Sequence, residues 1–309
     1  MQFLRKSSGL ICCLLAAFFW GTTFVAQDTA AETIPPFTFL ALRSFVGAAA
    51  LLLVVLLKDK WQKSKGVYAP SSRSQIKLTL LGGAFCGLFL CAASALQQFG
   101  IASNTGSPGK DAFITALYIV FVPVFSLVLG KRAAPHIYAC VAVALGGLWL
   151  LCMNGSALTT GDIQLIVCSL LFACQMILVD HIGTRADAVR LSAVQFLVVG
   201  VVAALLAVIF EKPTLDGILT GWWTVLYAGI LSSAVAYTLQ IIGQQRTPAT
   251  LASLVLSLES VVAVIASMIA LSLYPTLPEI FGMLLIFAAI IVSQIPFQYK
   301  NKMPSVKQN

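Results

Sequence analysis

One carboxylate stands in the middle of an oily run. In "ATLASLVLSLESVVAVIASMIALSL" (249–273), Glu259 lies at least about ten residues from either end, hence roughly 15 Å deep if the run is a helix rising 1.5 Å per residue. Of the eleven Asp and Glu residues it alone is placed so. Three roles are open to it: taking up and releasing a coupling proton, holding a cationic group of a bound molecule, or accepting hydrogen bonds from hydroxyls such as Tyr118 and Tyr237.

Other polar residues recur at helical spacing. Ser233, Tyr237, Gln240 and Gln244 step by four, three and four, which is one helix face, and Asp111, Thr115 and Tyr118 step by four and three. Ser94 and Gln97, with Gln98 beside them, form a third group, and Trp20, Thr23 and Gln27 with Gln175 a fourth. Such stripes either bridge helices by hydrogen bonds or face a polar cavity. We take Trp20, Thr23, Ser94, Gln97, Gln98, Thr115, Tyr118, Gln175, Tyr237, Gln240 and Glu259 as candidate substrate contacts, with Glu259 also the coupling candidate. Arg43, in "LALRSFVGA", is expected to snorkel to the near surface or pair with Asp28 or Glu32, direct contact with a bound molecule being the alternative. Lys110 either draws a carboxylate toward a helix N-terminus or is a solvated charge beside Asp111.

These residues hang on an apolar chain. Of 309 residues 59% are apolar and 10% charged, and the mean hydropathy is +0.95, whereas a soluble globule carries about a quarter charged residues. The class is an all-α integral membrane protein. Spanning a core of about 30 Å takes roughly 20 apolar residues, and ten runs qualify, near 9–27, 37–57, 76–99, 108–129, 135–153, 161–180, 191–210, 219–242, 249–273 and 279–297. The runs are continuous, which excludes the alternating pattern of a β-barrel. With the N-terminus inside, all 19 Lys and Arg fall on the cytoplasmic side except Lys110, Lys212 and Arg43, so both termini are expected in the cytoplasm and the protein in the cell (cytoplasmic) membrane. The charge of +8 is spread over short loops on that one side, which argues against nucleic acid as a partner. The eight cysteines lack a CxxC pair and read as small packing residues. "NGS" at 154–156 matches a glycosylation sequon.

The chain also repeats itself. "GLICCLLAAFFWGTTFVAQD" (9–28) lies without a gap against "GDIQLIVCSLLFACQMILVD" (161–180), pairing Trp20 with Phe172 and Thr23 with Gln175. "ALQQFG" (95–100) matches "TLQIIG" (238–243), pairing Gln97 with Gln240, and "TALY" (115–118) matches "LSLE" (256–259), pairing Tyr118 with Glu259. The next helices open alike, on Ser107-Pro108 and Thr247-Pro248. Five runs per half, 9–153 and 161–297, force the second half to insert upside down, the inverted arrangement in which transporters hold their site near the midplane. The first run, after Arg5 and Lys6, therefore has a partner and is not a signal peptide.

Taken together, "AAFFWGTTFVA", "LRSFVGAAALLL", "GKDAFITALYIVFVPVFSLVLG", "TPATLASLVLSLESVVAVIASMIAL" and "PEIFGMLLIFAAIIVSQ", in this order over residues 9 to about 297, resemble the EamA family of the drug/metabolite transporter superfamily. The resemblance implies ten helices in two repeats, both termini cytoplasmic, and export or exchange of small metabolites such as amino acids. Two features depart from the family: its Glu-Pro pair in the ninth run is here Glu259-Ser260, and its Gly-Glu endings are Gly130-Lys131 and Leu273-Tyr274. The expected function is alternating-access transport of a small metabolite across the bilayer, outward, with a proton or another ion as possible coupling partner. A membrane-embedded enzyme or a sensor without transport is the rival. His136 and His181 are the only histidines, no nucleophile constellation and no GxxxxGK[ST] loop is present, and no cofactor or metal is expected. Substrate identity, coupling ion and oligomeric state have no signature in the chain.

Overall fold

The structure is a computed structural model that describes residues 2–68, 70–152, 159–293 and 295. The elements are α1 (Gln2–Ala31), α2 (Pro36–Ser64), α3 (Arg73–Ser103), α4 (Pro108–Thr115), α5 (Tyr118–Val128), α6 (Pro135–Cys152), α7 (Thr160–Ile182), a 3-10 turn (Gly183–Arg185), α8 (Ala188–Phe210), α9 (Leu215–Thr220), α10 (Trp222–Tyr227), a π-helical segment (Ala228–Ala236), α11 (Tyr237–Gln244), α12 (Ala249–Leu256), α13 (Leu258–Leu271) and α14 (Leu277–Ser293). Among the described residues there is no strand. The sequon at Asn154 and the tail cations Lys300, Lys302 and Lys307 lie outside the described residues, as does the end of the last expected run.

Eight helical stretches are long and apolar enough to cross a membrane. The fifth and tenth expected runs are represented among the described residues by the shorter apolar helices Pro135–Gly147 and Ile280–Ser293. The outer surface is what lipid requires: Val128, Val208, Ile209, Phe210 and Ile269 are exposed along helix sides that no other element covers.

Packing partners exchange in pairs between the two halves. α2 packs on α8 and α6 on α14, each a first-half element on its second-half equivalent, and α4 on α13 is matched by α5 on α12. The remaining large contacts come as matched sets: α3 with α7 against α1 with α11, α3 with α8 against α2 with the π segment, and α5 with α7 against α1 with α13. The buried helix faces thus meet largely across the two halves, while the outer faces stay apolar and exposed.

Polar contacts pin the halves together at both ends. Pro36 opens α2 as its first helical residue, and the Glu211 carboxylate at the end of α8 accepts from Phe37 N (2.7 Å), Thr38 N (2.8 Å) and Thr38 Oγ1 (2.7 Å). It caps a helix to which it is not connected in sequence. Glu211→Ala is expected to cost about 1–2 kcal/mol, the usual loss of a cap, read as an earlier thermal unfolding midpoint of the purified protein. At the opposite end Arg190 forks onto Asp59 (2.7 and 2.8 Å) and Lys58 pairs with Asp187 (2.6 Å). Asp187 also caps α8, accepting from Arg190 N.

Burial by itself would raise the Asp187 carboxyl, but the Lys58 bond, the Arg190 backbone bond and the charges of both residues outweigh it and hold the group below its usual value. Because the folded-state value is depressed, its contribution is complete above the ordinary carboxylate value of about 4 and is lost as pH falls below that. The pair is 41% and 34% exposed, which limits the contribution to less than about 1 kcal/mol. Asp187→Asn should therefore lower the unfolding midpoint slightly near neutral pH, and the difference from wild type should shrink as pH falls below the ordinary carboxylate value of about 4.

Candidate functional site

The site is made where helices break. The fourth run divides into α4 and α5 at Ala116 and Leu117, and the ninth divides into α12 and α13 at Ser257. Each break falls one or two residues before the repeat mates Tyr118 and Glu259. The causes differ. Pro123 has no amide for the Ile119 carbonyl and its ring crowds that carbonyl, so the preceding turn tightens to three-residue bonds, Ile119 N to Ala116 O (3.0 Å) and Val120 N to Leu117 O (2.9 Å). The ninth run has no proline beside Glu259, and serines make the break instead. Ser253, Ser257 and Ser260 each donate a hydroxyl to the carbonyl three residues back (2.9, 2.8 and 2.7 Å), and Ser260 N bonds to Ser257 O. Hydroxyls bonded back to the helix compete with the regular ladder and bend it.

Between these breaks lies a narrow, largely enclosed cavity of about 30 Å³, walled by α1, α2, α3, α4, α5, α7, the π segment, α11 and α13. Eight candidate residues line it: Trp20, Gln97, Thr115, Tyr118, Gln175, Tyr237, Gln240 and Glu259. The repeat mates meet here, Tyr118 Oη donating to Glu259 Oε1 at 2.8 Å. Glu259 is 3% exposed, and no cation stands at ion-pair distance from it among the described residues. Gln97 and Gln240, and Trp20 and Phe172, are repeat mates that also share the wall. Trp20 stacks edge-on to Tyr237 with ring centroids 4.7 Å apart, and Phe196 meets the same tyrosine at 5.1 Å.

Glutamines hold the wall in register. Gln27 donates to Gln97 (3.2 Å) and Gln98 (3.1 Å), joining α1 to α3. In the other half Gln240 donates to Gln175 (3.2 Å) and Gln175 to Gln195 (3.0 Å), joining α11, α7 and α8. Gln244 donates to the Met176 carbonyl. Four lining residues nevertheless keep a buried polar atom without a hydrogen-bond partner among the described residues: Trp20 Nε1, Arg43 Nε, Thr115 Oγ1 and Gln240 Oε1. Buried polar atoms are nearly always paired, so a cluster of unpaired ones around one cavity marks a place built for a polar guest.

Three candidates do not line the cavity. Thr23 donates to the Phe19 carbonyl of its own helix (2.6 Å), Gln98 braces α1 through the Gln27 side chain and carbonyl, and Ser94 is buried behind the wall, where its hydroxyl meets that of Tyr237. The Ser233–Tyr237–Gln240 stripe is also corrected at its first member. Residues 228–236 wind as a π-helix, with more residues per turn than an α-helix, so Ser232 reaches the cavity and Ser233 turns to α2, where its Cβ would lie 2.7 Å from a Cβ on Gly47.

Arg43 is the residue that sequence reasoning misassigned. It neither snorkels nor pairs with Asp28 or Glu32: it is 3% exposed and lines the cavity, its guanidinium carbon 5.6 Å from the Phe39 ring centroid. Asp28 accepts from Gly106 N (2.9 Å) instead. The available signal was the aromatic ring four residues earlier on the same face, which gives a buried cation a partner without a carboxylate. Lys110 pairs with Asp162 of the second half (2.8 Å), and Asn104 Nδ2 reaches both Asp111 and Asp162 at 3.0 Å. No group of three His, Cys, Asp or Glu side chains that could hold a metal occurs among the described residues.

Two halves of long apolar helices, exchanging partners around a polar cavity, define a multi-pass membrane protein of a transporter type. The chain belongs to the EamA-like transporter family, whose model matches it twice, over residues 7–153 and 159–294. It is similar to an uncharacterized transporter of Archaeoglobus fulgidus, at 27% identity over 90% of this chain and 83% of that one, and to the uncharacterized transporter YoaV of Bacillus subtilis, at 23% over 90% and 94%. The protein PagO of Salmonella typhimurium is 25% identical over 84% of each chain. A crystal structure at 18% identity shares the fold, with a TM-score of 0.73 over 93% of this chain and 96% of its own.

Proposed function

We propose that the chain is a secondary carrier that moves a small metabolite, an amino acid or a related compound, across the cytoplasmic membrane by alternating access, in the outward direction. The observation that carries this reading is the cavity itself: unpaired polar atoms and one buried carboxylate, held between two broken helices at equivalent places in the two halves. A broken helix inside a membrane frees backbone and side-chain groups only where they line a cavity. Rocking one half against the other would open that cavity to each side in turn, and the ion pairs that cross between halves, Lys110–Asp162 at one end and Arg190–Asp59 with Lys58–Asp187 at the other, stand where such a motion makes and breaks contacts. The asymmetry of Lys and Arg supports termini in the cytoplasm.

In this reading the eight lining candidates contact substrate, while Thr23, Ser94 and Gln98 support the wall. Glu259 exchanges a coupling proton and accepts a hydrogen bond from Tyr118. The test is reconstitution into liposomes with a panel of labelled amino acids and related metabolites. Protein-dependent uptake and counterflow are the expected result, whereas chemical conversion of a compound without translocation would favour the enzyme.

A further inference from the structure

The cavity contains one cation, Arg43, that no carboxylate answers among the described residues. Arg43 lies within a helix in the interior of the bundle, its Nε is unpartnered, and none of the four ion pairs among the described residues includes it. Its neighbours are the Phe39 face and the Tyr237 and Cys168 side chains, none of them a carboxylate, and an aromatic face holds a guanidinium weakly compared with a carboxylate. Burying an unpaired charge is strongly unfavourable, and the nearby acids are otherwise engaged: Asp28 by Gly106 N, Asp111 by Asn104, Glu259 by Tyr118. The guanidinium fork matches a carboxylate bidentately. Across the same cavity the only lining carboxylate is Glu259.

We infer that Arg43 anchors the carboxylate of the transported molecule, which makes the substrate class small zwitterions that present an ammonium group toward Glu259. This rests on the carrier reading for transport, but the binding chemistry stands on the Arg43 environment alone. Neutral indole, amide and hydroxyl groups of Trp20, Gln240 and Thr115 complete a first ring of donors and acceptors around the guest. A cation without a carboxylate would meet Arg43 with like charge, and a neutral molecule would leave the guanidinium unanswered.

The experiment compares acids with their own amides. Equilibrium binding and liposome counterflow are measured for each of the standard amino acids, for the carboxamides of those that bind, and for inorganic phosphate as competitor, with wild type, Arg43→Gln and Arg43→Lys. In wild type an amide should bind at least about tenfold more weakly than its acid, the loss expected for a charge-assisted hydrogen bond. In Arg43→Gln that discrimination should collapse to within about threefold because the acid loses its anchor and the amide loses nothing. Arg43→Lys, which keeps charge without the fork, should fall between. A structural role for Arg43 would weaken acid and amide alike and leave their ratio unchanged. Should Arg43→Gln not fold, the wild-type ratio and the lysine variant decide. Equal binding of acid and amide by wild type, persistence of the discrimination in Arg43→Gln, or binding of phosphate or uncharged metabolites in place of amino acids overturns the inference while leaving the carrier intact. Acid-selective binding without translocation overturns the carrier and keeps the anchor. Neither binding nor movement of any amino acid overturns the inference as well.

Discussion

Glu259→Gln should abolish the response of transport to an imposed pH gradient. One pH unit is worth about 1.36 kcal/mol per proton, so wild type coupled to one proton can accumulate substrate up to about tenfold, and the variant should settle near onefold. Glutamine keeps the size of the side chain and an oxygen that can accept from Tyr118, now 2.8 Å away, but it cannot take up or release a proton. Counterflow, which needs no net driving force, should survive in the variant with a weakened apparent affinity, because the substrate ammonium then faces an amide in place of a carboxylate. Lost gradient response with retained counterflow separates coupling from folding, whereas loss of both modes would leave Glu259 without a coupling role of its own. Tyr118→Phe removes the donor and should leave gradient-driven accumulation in place, at a cost of about 1 kcal/mol in stability. An unchanged pH response in Glu259→Gln would sink the proton role.

The second large effect is steric. Gly21 of α1 crosses α13 beside the cavity, and a Cβ there would stand 2.5 Å from the Glu259 carbonyl oxygen and 2.5 Å from Val262 Cβ. Neither neighbour can swing aside, since one is backbone and the other is branched at its first carbon. Gly21→Ala therefore has to widen the α1–α13 crossing at the residue that carries the carboxylate. Overpacking of this kind typically costs about 1–3 kcal/mol, and both thermal stability and transport should fall. The control is Gly146→Ala in α6, where an added Cβ meets nothing within 4 Å. It should be neutral, or stabilising by up to about 1 kcal/mol as helix propensity favours alanine. Equal losses at both glycines would mean that the crossing is not the tight joint the structure describes.

Much of the site was legible before the fold was known. Membrane class follows from composition, because hydrocarbon tolerates no other sequence. The repeat follows from matched segments in matched order, and it paired Tyr118 with Glu259 and Gln97 with Gln240, residues that share one cavity wall. Helical spacing picked out six of the lining residues, Trp20, Gln97, Thr115, Tyr118, Tyr237 and Gln240, since the 3.6-residue period decides which side chains share a face.

The rest was decided in three dimensions. Ser232 replaces Ser233 because a π-helical stretch shifts the register, and the distinction between them depends on packing against α2 at Gly47. The bend at Glu259 forms without the family's proline, through three serine hydroxyls bonded back to carbonyls, a choice that serine leaves open in any helix until its surroundings exclude other partners. Arg43 was assigned to the surface by its distance from the end of its run, yet α2 is buried at that depth among other helices, where the guanidinium cannot reach water. Sequence by itself determined which polar residues stand inside the apolar runs and which of them share a regular helix face. Only the tertiary structure decided which faces meet, because a charge deep in a membrane protein takes its role from the partners that neighbouring helices supply or withhold.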